Sequence, residues 1–354
     1  MNYLSQKAQN IAPYQPGEQP QNENLIKINT NENPYPPSPR VLARIKQCAE
    51  TDFRLYPDPD SNKLKTALAR RENLEADQVF CSNGSDEVLA FCYPAFFDTN
   101  NPILFPDITY SFYPVYANLF SINYREIPLD AQFRLRPQDY LIENGGIIIA
   151  NPNAPTGMFL SLDQLELIIK YNLGRAVVIV DEAYVEFGGQ TAAPLIKDYD
   201  NLLIIRTLSK SHSLAGLRIG YALGNAGLIS GLQRIKNAFN SYPVDNLAQA
   251  GAIAAIEDEN YTREILNKIT ATRDRITNEL QALGFVIPES RSNFIFITHP
   301  RFRAADIFTY LRANGVLVRY FNKPRLENYL RVSIGTGEQM DIVLKVIEEF
   351  IRLA

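Results

Sequence analysis

Three stretches decide the fold: GIIIANPNAPTG at residues 146–157, AVVIVDEAY at 176–184 and LLIIRTLSK at 202–210. Each opens on a run that is apolar at successive positions and ends on polar residues. Strands covered by helices on both faces of a parallel sheet have this continuous pattern, whereas a strand with one wet face alternates. QVFC (78–81), PILF (102–105) and IGYAL (219–223) repeat it. Helical patterns lie between the runs, one of them opened by Ser161 and Gln164 in capping-box spacing. From Asp77 to about Gly224 the chain therefore reads as an α/β layered domain with a mostly parallel central sheet.

The first 40 residues are rich in Pro and Asn and end on NTNENPYPPSP (29–39). Proline blocks regular ladders, so this part reads as an arm, and composition leaves both an ordered and a disordered arm open. Ser38 and Pro39 then open a helix as N-cap and first-turn residue. Beyond Asn246 an alanine-rich helical region runs to Gly284. FIFIT (294–298), a helix near 304–314, VLVRY (316–320), YLRVSIG (329–335) and a last helix follow. This reads as a smaller α+β domain. The expected division is an arm at 1–34, packed on the small domain or a dimer partner, a large domain at 35–243 and a small domain at 244–354. A length of 354 residues suits one large and one smaller core.

The formal net charge of −4, with no basic block, argues against a nucleic-acid partner. Two histidines make a histidine-based zinc site unexpected, and no metal is expected. Cys48, Cys81 and Cys92 are few and odd in number, which suits a reduced, cytoplasmic setting. No stretch approaches the roughly 20 apolar residues that a membrane helix needs, and no signal-peptide pattern opens the chain.

In open α/β sheets ligands sit beyond the carboxyl ends of the strands. Four such ends carry candidate residues: Ser82 to Glu87 after QVFC, Asn151 to Gly157 after GIIIA, Asp181 to Tyr184 after AVVIV, and Thr207 to Lys210, with Arg218 beyond, after LLIIR. Singly, each has a plainer reading as a turn, a cap or a solvated lysine. Jointly they meet the needs of pyridoxal 5′-phosphate: an amine to join its aldehyde, an acid for its ring nitrogen, donors for its ring oxygen, a helix start for its phosphate and an aromatic face. The chain offers Lys210, Asp181, Asn153 with Tyr184, the 84–87 helix start with Ser209 and Arg218, and Tyr110 for those parts. Glu182, next along a strand end, points the other way, and nothing in this chemistry needs His212.

With these motifs in place, the sequence resembles the type I aminotransferases of the aspartate-aminotransferase fold, and among them the histidinol-phosphate aminotransferase group. The likeness runs from NENPYPP (31–37) to LRVSIGTGE (330–338). TLSKSHSLAGLRIGY (207–221) is its most specific part, and LYPDPD (55–60), GSDE (84–87), ITYSFYPVY (108–116) and DEAYVEF (181–187) stand in the family's order. The resemblance implies that Lys210 holds the cofactor and shuttles the proton, Asp181 pairs with the ring nitrogen, and Tyr184 with an asparagine bonds the ring oxygen. It implies Tyr110 as the stacking ring, and Ser85, Asp86, Thr207, Ser209 and Arg218 as phosphate contacts. Tyr56 would reach the neighbouring subunit's phosphate, which implies a homodimer with shared sites. Arg331, with Arg319 and Tyr14, would bind substrate. Many members carry asparagine directly before PTG; here Ala154 stands there and Asn153 is the nearest substitute. The implied reaction moves an amino group between histidinol phosphate and glutamate or their keto forms, imidazole acetol phosphate and 2-oxoglutarate. An aromatic aminotransferase or a threonine-phosphate decarboxylase shares the same parts.

Overall fold

The computed structural model describes residues 3–14, 16–20, 25–50, 53–98 and 100–353. The arm contributes β1 (Ile26–Lys27). The large unit holds β2 (Val79–Asn83), β3 (Ile103–Pro106), β4 (Tyr124–Ile127), β5 (Gly146–Ala150), β6 (Val178–Asp181), β7 (Leu202–Thr207) and β8 (Ile219–Gly224), and the small unit β9 (Phe294–Ile297), β10 (Val316–Leu317), β11 (Arg319–Tyr320) and β12 (Leu330–Ser333).

The large sheet has the order β2-β8-β7-β6-β5-β3-β4. β8 runs antiparallel to both its neighbours and the other pairings are parallel. All six expected runs form strands, and β3, β5, β6, β7 and β8 are buried at every position. One apolar layer, with Val79, Ile147, Val178 and Ile204, covers one face, and a second, with Phe80, Ile103, Ile148, Ile179 and Leu203, covers the other. Two-sided burial is why these runs do not alternate. The capping box expected at Ser161 and the cap expected at Ser38 are formed.

The small unit packs β11-β12-β9, an antiparallel sheet, against the helices at Glu259–Ala282, Ala304–Ala313 and Gly337–Leu353. The expected division at 243/244 falls too early. The helix Asn246–Glu257 buries Ala248, Ala252 and Ala255 in the large unit's core, against the helices at Pro39–Ala49 and Asn62–Glu72. Small alanine side chains allow that close approach, and the core changes only past Asp258, where the 24-residue helix begins. The arm is tied to the small unit: β1 pairs in parallel with β10.

Candidate active site

The carboxyl ends of β5, β6 and β7, the start of the helix Gly84–Phe96, the arm and β12 enclose a cavity of about 560 Å³. Lys210 lies on its wall. At the end of β7, the Thr207 hydroxyl accepts the Ser209 N–H at 3.1 Å and caps the short helix Leu208–Ser211, which carries the lysine. The Lys210 ammonium donates to the Thr30 carbonyl at 3.0 Å, and the Asn33 amide donates to the Lys210 carbonyl at 2.9 Å. Burial pulls this ammonium down to about 8, against the opposing pull of Glu32.

Asp181 ends β6, 5 % exposed. Its carboxylate accepts the Tyr113 hydroxyl at 2.9 Å and the Ala183 N–H at 3.1 Å. Burial pushes its pKa up to about 6. No salt bridge offsets that charge among the described residues, so a cation placed before it gains a strong partner. Glu182 turns away, to Arg206 at 2.9 Å beneath the site. His212 is held there too. An Arg71 N–H reaches its Nε2 at 2.9 Å, which leaves the ring proton on Nδ1 toward Ser211. Burial and then the Arg71 charge hold this imidazole neutral, down to about 3.

A candidate anion cradle comes from two close backbones. A Cβ on Gly220 of β8 would lie 2.1 Å from the Gly84 carbonyl carbon and from the Ser85 nitrogen, and Gly84 itself has φ +82°. Glycine at both places brings the helix start, the end with free N–H groups, close against the strand. Ser85, Asp86, Thr207, Ser209 and Arg218 line the same end. Asp86 accepts from Arg218 at 3.3 Å and from the Tyr110 hydroxyl at 2.7 Å.

At the other end, Arg319 and Arg331 are direct cross-strand partners on β11 and β12. The Arg331 guanidinium lies over Phe294 and Phe321, 5.3 and 5.7 Å from the ring centres. One Nη donates to the Asn29 carbonyl at 2.9 Å, while the buried Nε has no partner. Tyr14 stacks on Phe112 at 4.1 Å and faces the same space. The Tyr184 hydroxyl accepts the Asn31 amide at 2.9 Å.

Two expected residues are not in this cavity. Asn153 spends its amide inside its own loop: it accepts from Thr109 at 2.8 Å and donates to the Ile108 carbonyl and the Thr156 hydroxyl at 3.0 Å. It faces a separate cleft with Phe133 and Arg134, while Ala154 faces the candidate site. Tyr56 is 80 % exposed and stacks on Tyr242 at 4.6 Å, away from this cavity. Sequence reasoning missed Tyr113, three positions after Tyr110 in ITYSFYPVY, and the whole NTNEN segment, which it treated only as arm.

The aminotransferase class I and II family matches residues 23–347. The chain belongs to that family. It is 52% identical to a histidinol-phosphate aminotransferase of Clostridium botulinum over 350 residues, which is 99% of each chain. It is 50% identical to one of Acinetobacter baylyi over 355 residues, 99% of this chain and 98% of the other. The structure of histidinol-phosphate aminotransferase from Sinorhizobium meliloti, solved in complex with pyridoxal-5′-phosphate, matches 100% of this aminotransferase and 99% of that chain at a TM-score of 0.90 and 25% identity. Thermus thermophilus aspartate aminotransferase, at 18% identity and a TM-score of 0.84, shares the fold.

The residues fit pyridoxal phosphate. An amine that burial favours as neutral, a buried carboxylate lacking a cation, and a glycine-lined helix start stand on one cavity. Lys210, Asp181, Tyr184, Tyr110 and the Ser85–Arg218 cradle would hold it.

Proposed function

We propose that this aminotransferase moves an amino group between L-histidinol phosphate and imidazole acetol phosphate on one side, and glutamate and 2-oxoglutarate on the other, as a step of histidine biosynthesis. Arg331 carries the reading. Its buried guanidinium lines the cavity that holds Lys210, beside the cross-strand Arg319, and its enclosed Nε has no partner. A planar fork of donors suits a carboxylate and a phosphate alike, and the proposed exchange needs both bound in turn.

When bound, pyridoxal phosphate supplies an electrophilic aldehyde and a protonated ring that draws electrons from the carbon bearing the amine. Asp181 would keep that ring nitrogen protonated, and Tyr113 keeps the carboxylate aimed. The Lys210 amine would take the proton from the substrate carbon and return it within the same site. Tyr110 and Phe112 line the cavity.

The active species in this reading is a homodimer with shared sites. Phe53, Leu55, Tyr56, Phe239 and Tyr242 are all exposed, and a second copy placing Tyr56 into its partner's cradle would cover them. The three thiols form no disulfide, which suits a reducing cytoplasm.

The test is a donor and acceptor panel with the purified, cofactor-loaded protein. Histidinol phosphate should yield imidazole acetol phosphate with 2-oxoglutarate as acceptor. Carbon dioxide from threonine phosphate, or exchange confined to aromatic amino acids, would replace this reading by another of the same fold.

A further inference from the structure

Three carboxylates line the cavity: Asp86, Asp181 and Glu32. Two have work. Asp181 faces the place of a ring nitrogen, and Asp86 is bonded to Arg218 and Tyr110 within the cradle. Glu32 has none in the reaction described above. It sits in the arm, half-buried, with Lys27 donating to it at 2.5 Å and the Thr30 hydroxyl donating to its other oxygen. Lys27 also donates to the Thr30 hydroxyl at 2.5 Å. Thr30 is the residue whose carbonyl receives the Lys210 ammonium.

We propose that Glu32 is a positioning residue for Lys210: its carboxylate, locked to Thr30 and Lys27, stabilises the lysine whenever it carries a proton and fixes the carbonyl on which the ammonium rests. The idea rests on Lys210 being the proton carrier of the reaction proposed above. Around that lysine, Arg331 from β12 and Arg218 from the cradle oppose its positive charge, while Glu32 and Asp86 favour it. Asp181 and Tyr184 line the same space. Asp86 is paired with Arg218 at 3.3 Å and Glu32 with Lys27 at 2.5 Å, and of the two only Glu32 is also bonded to Thr30, whose carbonyl receives the lysine. The balance of charges agrees: Glu32 is the largest influence that raises the lysine, second only to the burial that lowers it. Glu32 itself is held ionised. Burial raises it, and the Lys27 and Thr30 bonds with the charges of Lys27 and Lys210 outweigh that.

The sequence places this carboxylate where it is needed. β1 ends at Lys27, Asn31 takes φ 58°, and that left-handed turn brings Glu32 back over Thr30. Asn31 is fixed there by its amide to Tyr184 and by the Ser333 hydroxyl at 2.7 Å.

The experiment uses two variants with effects of opposite sign. Glu32→Gln keeps an oxygen to accept from Thr30 and Lys27 but removes the charge, so the Lys210 ammonium should lose its proton at lower pH. Lys27→Met removes the cation that partly neutralises Glu32, so the proton should be held to higher pH. The first readout is the pH titration of the visible band of the resting, cofactor-loaded protein. The second needs no cofactor: full-length, cofactor-free protein is labelled with acetic anhydride across a pH series, and Lys210 labelling is read by peptide mass. In both, the Glu32→Gln midpoint should move down by about one pH unit, a tenfold change in the proton equilibrium. The Lys27→Met midpoint should move up by about half a unit. A Glu32→Gln midpoint within about 0.2 unit of the parent overturns the proposal. Movement of both variants in one direction, the mark of a loosened arm, overturns it equally. A parent with no visible band would instead strike at the cofactor reading, and the labelling would still judge Glu32.

Discussion

In the reading proposed above, the two ends of the cavity would handle anions in different ways. The cradle is made by the large unit from backbone: a glycine-packed helix start, a strand end, and an arginine whose charge Asp86 already shares. The opposite end is made by the small unit and the arm from side chains: Arg319, Arg331 and Tyr14, with a buried guanidinium nitrogen left unpartnered. A site that keeps one anion can use fixed N–H groups and neutralise itself. A site that takes up and releases two different anions, as proposed for Arg331, would gain from a guanidinium held in place over Phe294 and Phe321 before the substrate arrives. The lysine stands between them, and the arm ties it to the second end through Thr30.

The largest effect belongs to the shared centre. Lys210→Ala should abolish turnover by at least about three orders of magnitude, since it removes both the amine and the proton carrier. Borohydride should fix the cofactor to Lys210 in the parent and to no peptide in the variant. Near-normal turnover in the variant would break the assignment at its root. The next pair separates the two ends. Arg331→Ala should cost on the order of 2–5 kcal/mol in single-turnover conversion with glutamate and with histidinol phosphate, and leave cofactor affinity unchanged. Arg331→Lys should recover only part, because a point charge lacks the fork. Arg218→Ala should do the reverse and loosen the cofactor. If Arg331→Ala loses cofactor, or reacts with both donors as the parent does, the division between the ends is wrong.

Asp181 tests the wall between them through pH. Its folded pKa, about 6, lies above the 3.8 of an unperturbed aspartate. The folded, cofactor-free chain therefore holds this proton more tightly than the unfolded chain does. The stability it lends is full below about pH 4 and is lost as pH rises through about 6, a change on the order of 3 kcal/mol. Urea midpoints of cofactor-free protein should fall across that window more in the parent than in Asp181→Asn. Parallel pH profiles would show that the carboxylate is not strained by burial. Bound cofactor should erase much of the difference by placing a cation before the carboxylate.

The large unit was legible because two-sided burial writes continuous apolar runs, and the residues after each run fell where ligands bind. β4 was not, because it is an edge strand, YREI, with exposed Arg125 and Glu126 and no such run. The helix Asn246–Glu257 was assigned to the wrong unit, since an alanine-rich face shows that a helix packs closely but not against what. Asn153 failed for a reason that spacing cannot show: its amide closes the loop that Pro152 and Pro155 shape, so one residue of register turned it out of the cavity. The NTNEN segment was read as arm because its bonds are to residues some 150 to 300 positions away, Tyr184, Lys210 and Ser333. Tyr113 was hidden behind Tyr110, the more obvious ring of the same motif.

The smallest expected effect concerns Tyr56, which does not line the chain's own cavity. Tyr56 stacks on Tyr242 within an exposed apolar patch, and if a second copy covers that patch, the hydroxyl can complete the partner's cradle. The cradle end would then be shared between subunits and the substrate end would belong to one. Tyr56→Phe keeps the stacking ring and removes a single hydrogen bond to an anion, so cofactor affinity and turnover should fall by about tenfold. Mixing this variant with an equal amount of Lys210→Ala, with exchange of subunits, distinguishes a shared site from a weakened fold. In half of the Tyr56→Phe subunits an intact lysine then meets an intact tyrosine from its partner, and activity per lysine should rise by about fivefold. A variant site that is impaired but gains nothing on mixing, with heterodimers seen by native mass spectrometry, would place Tyr56 outside the partner's cradle. Both ends of the cavity would then be the property of a single chain.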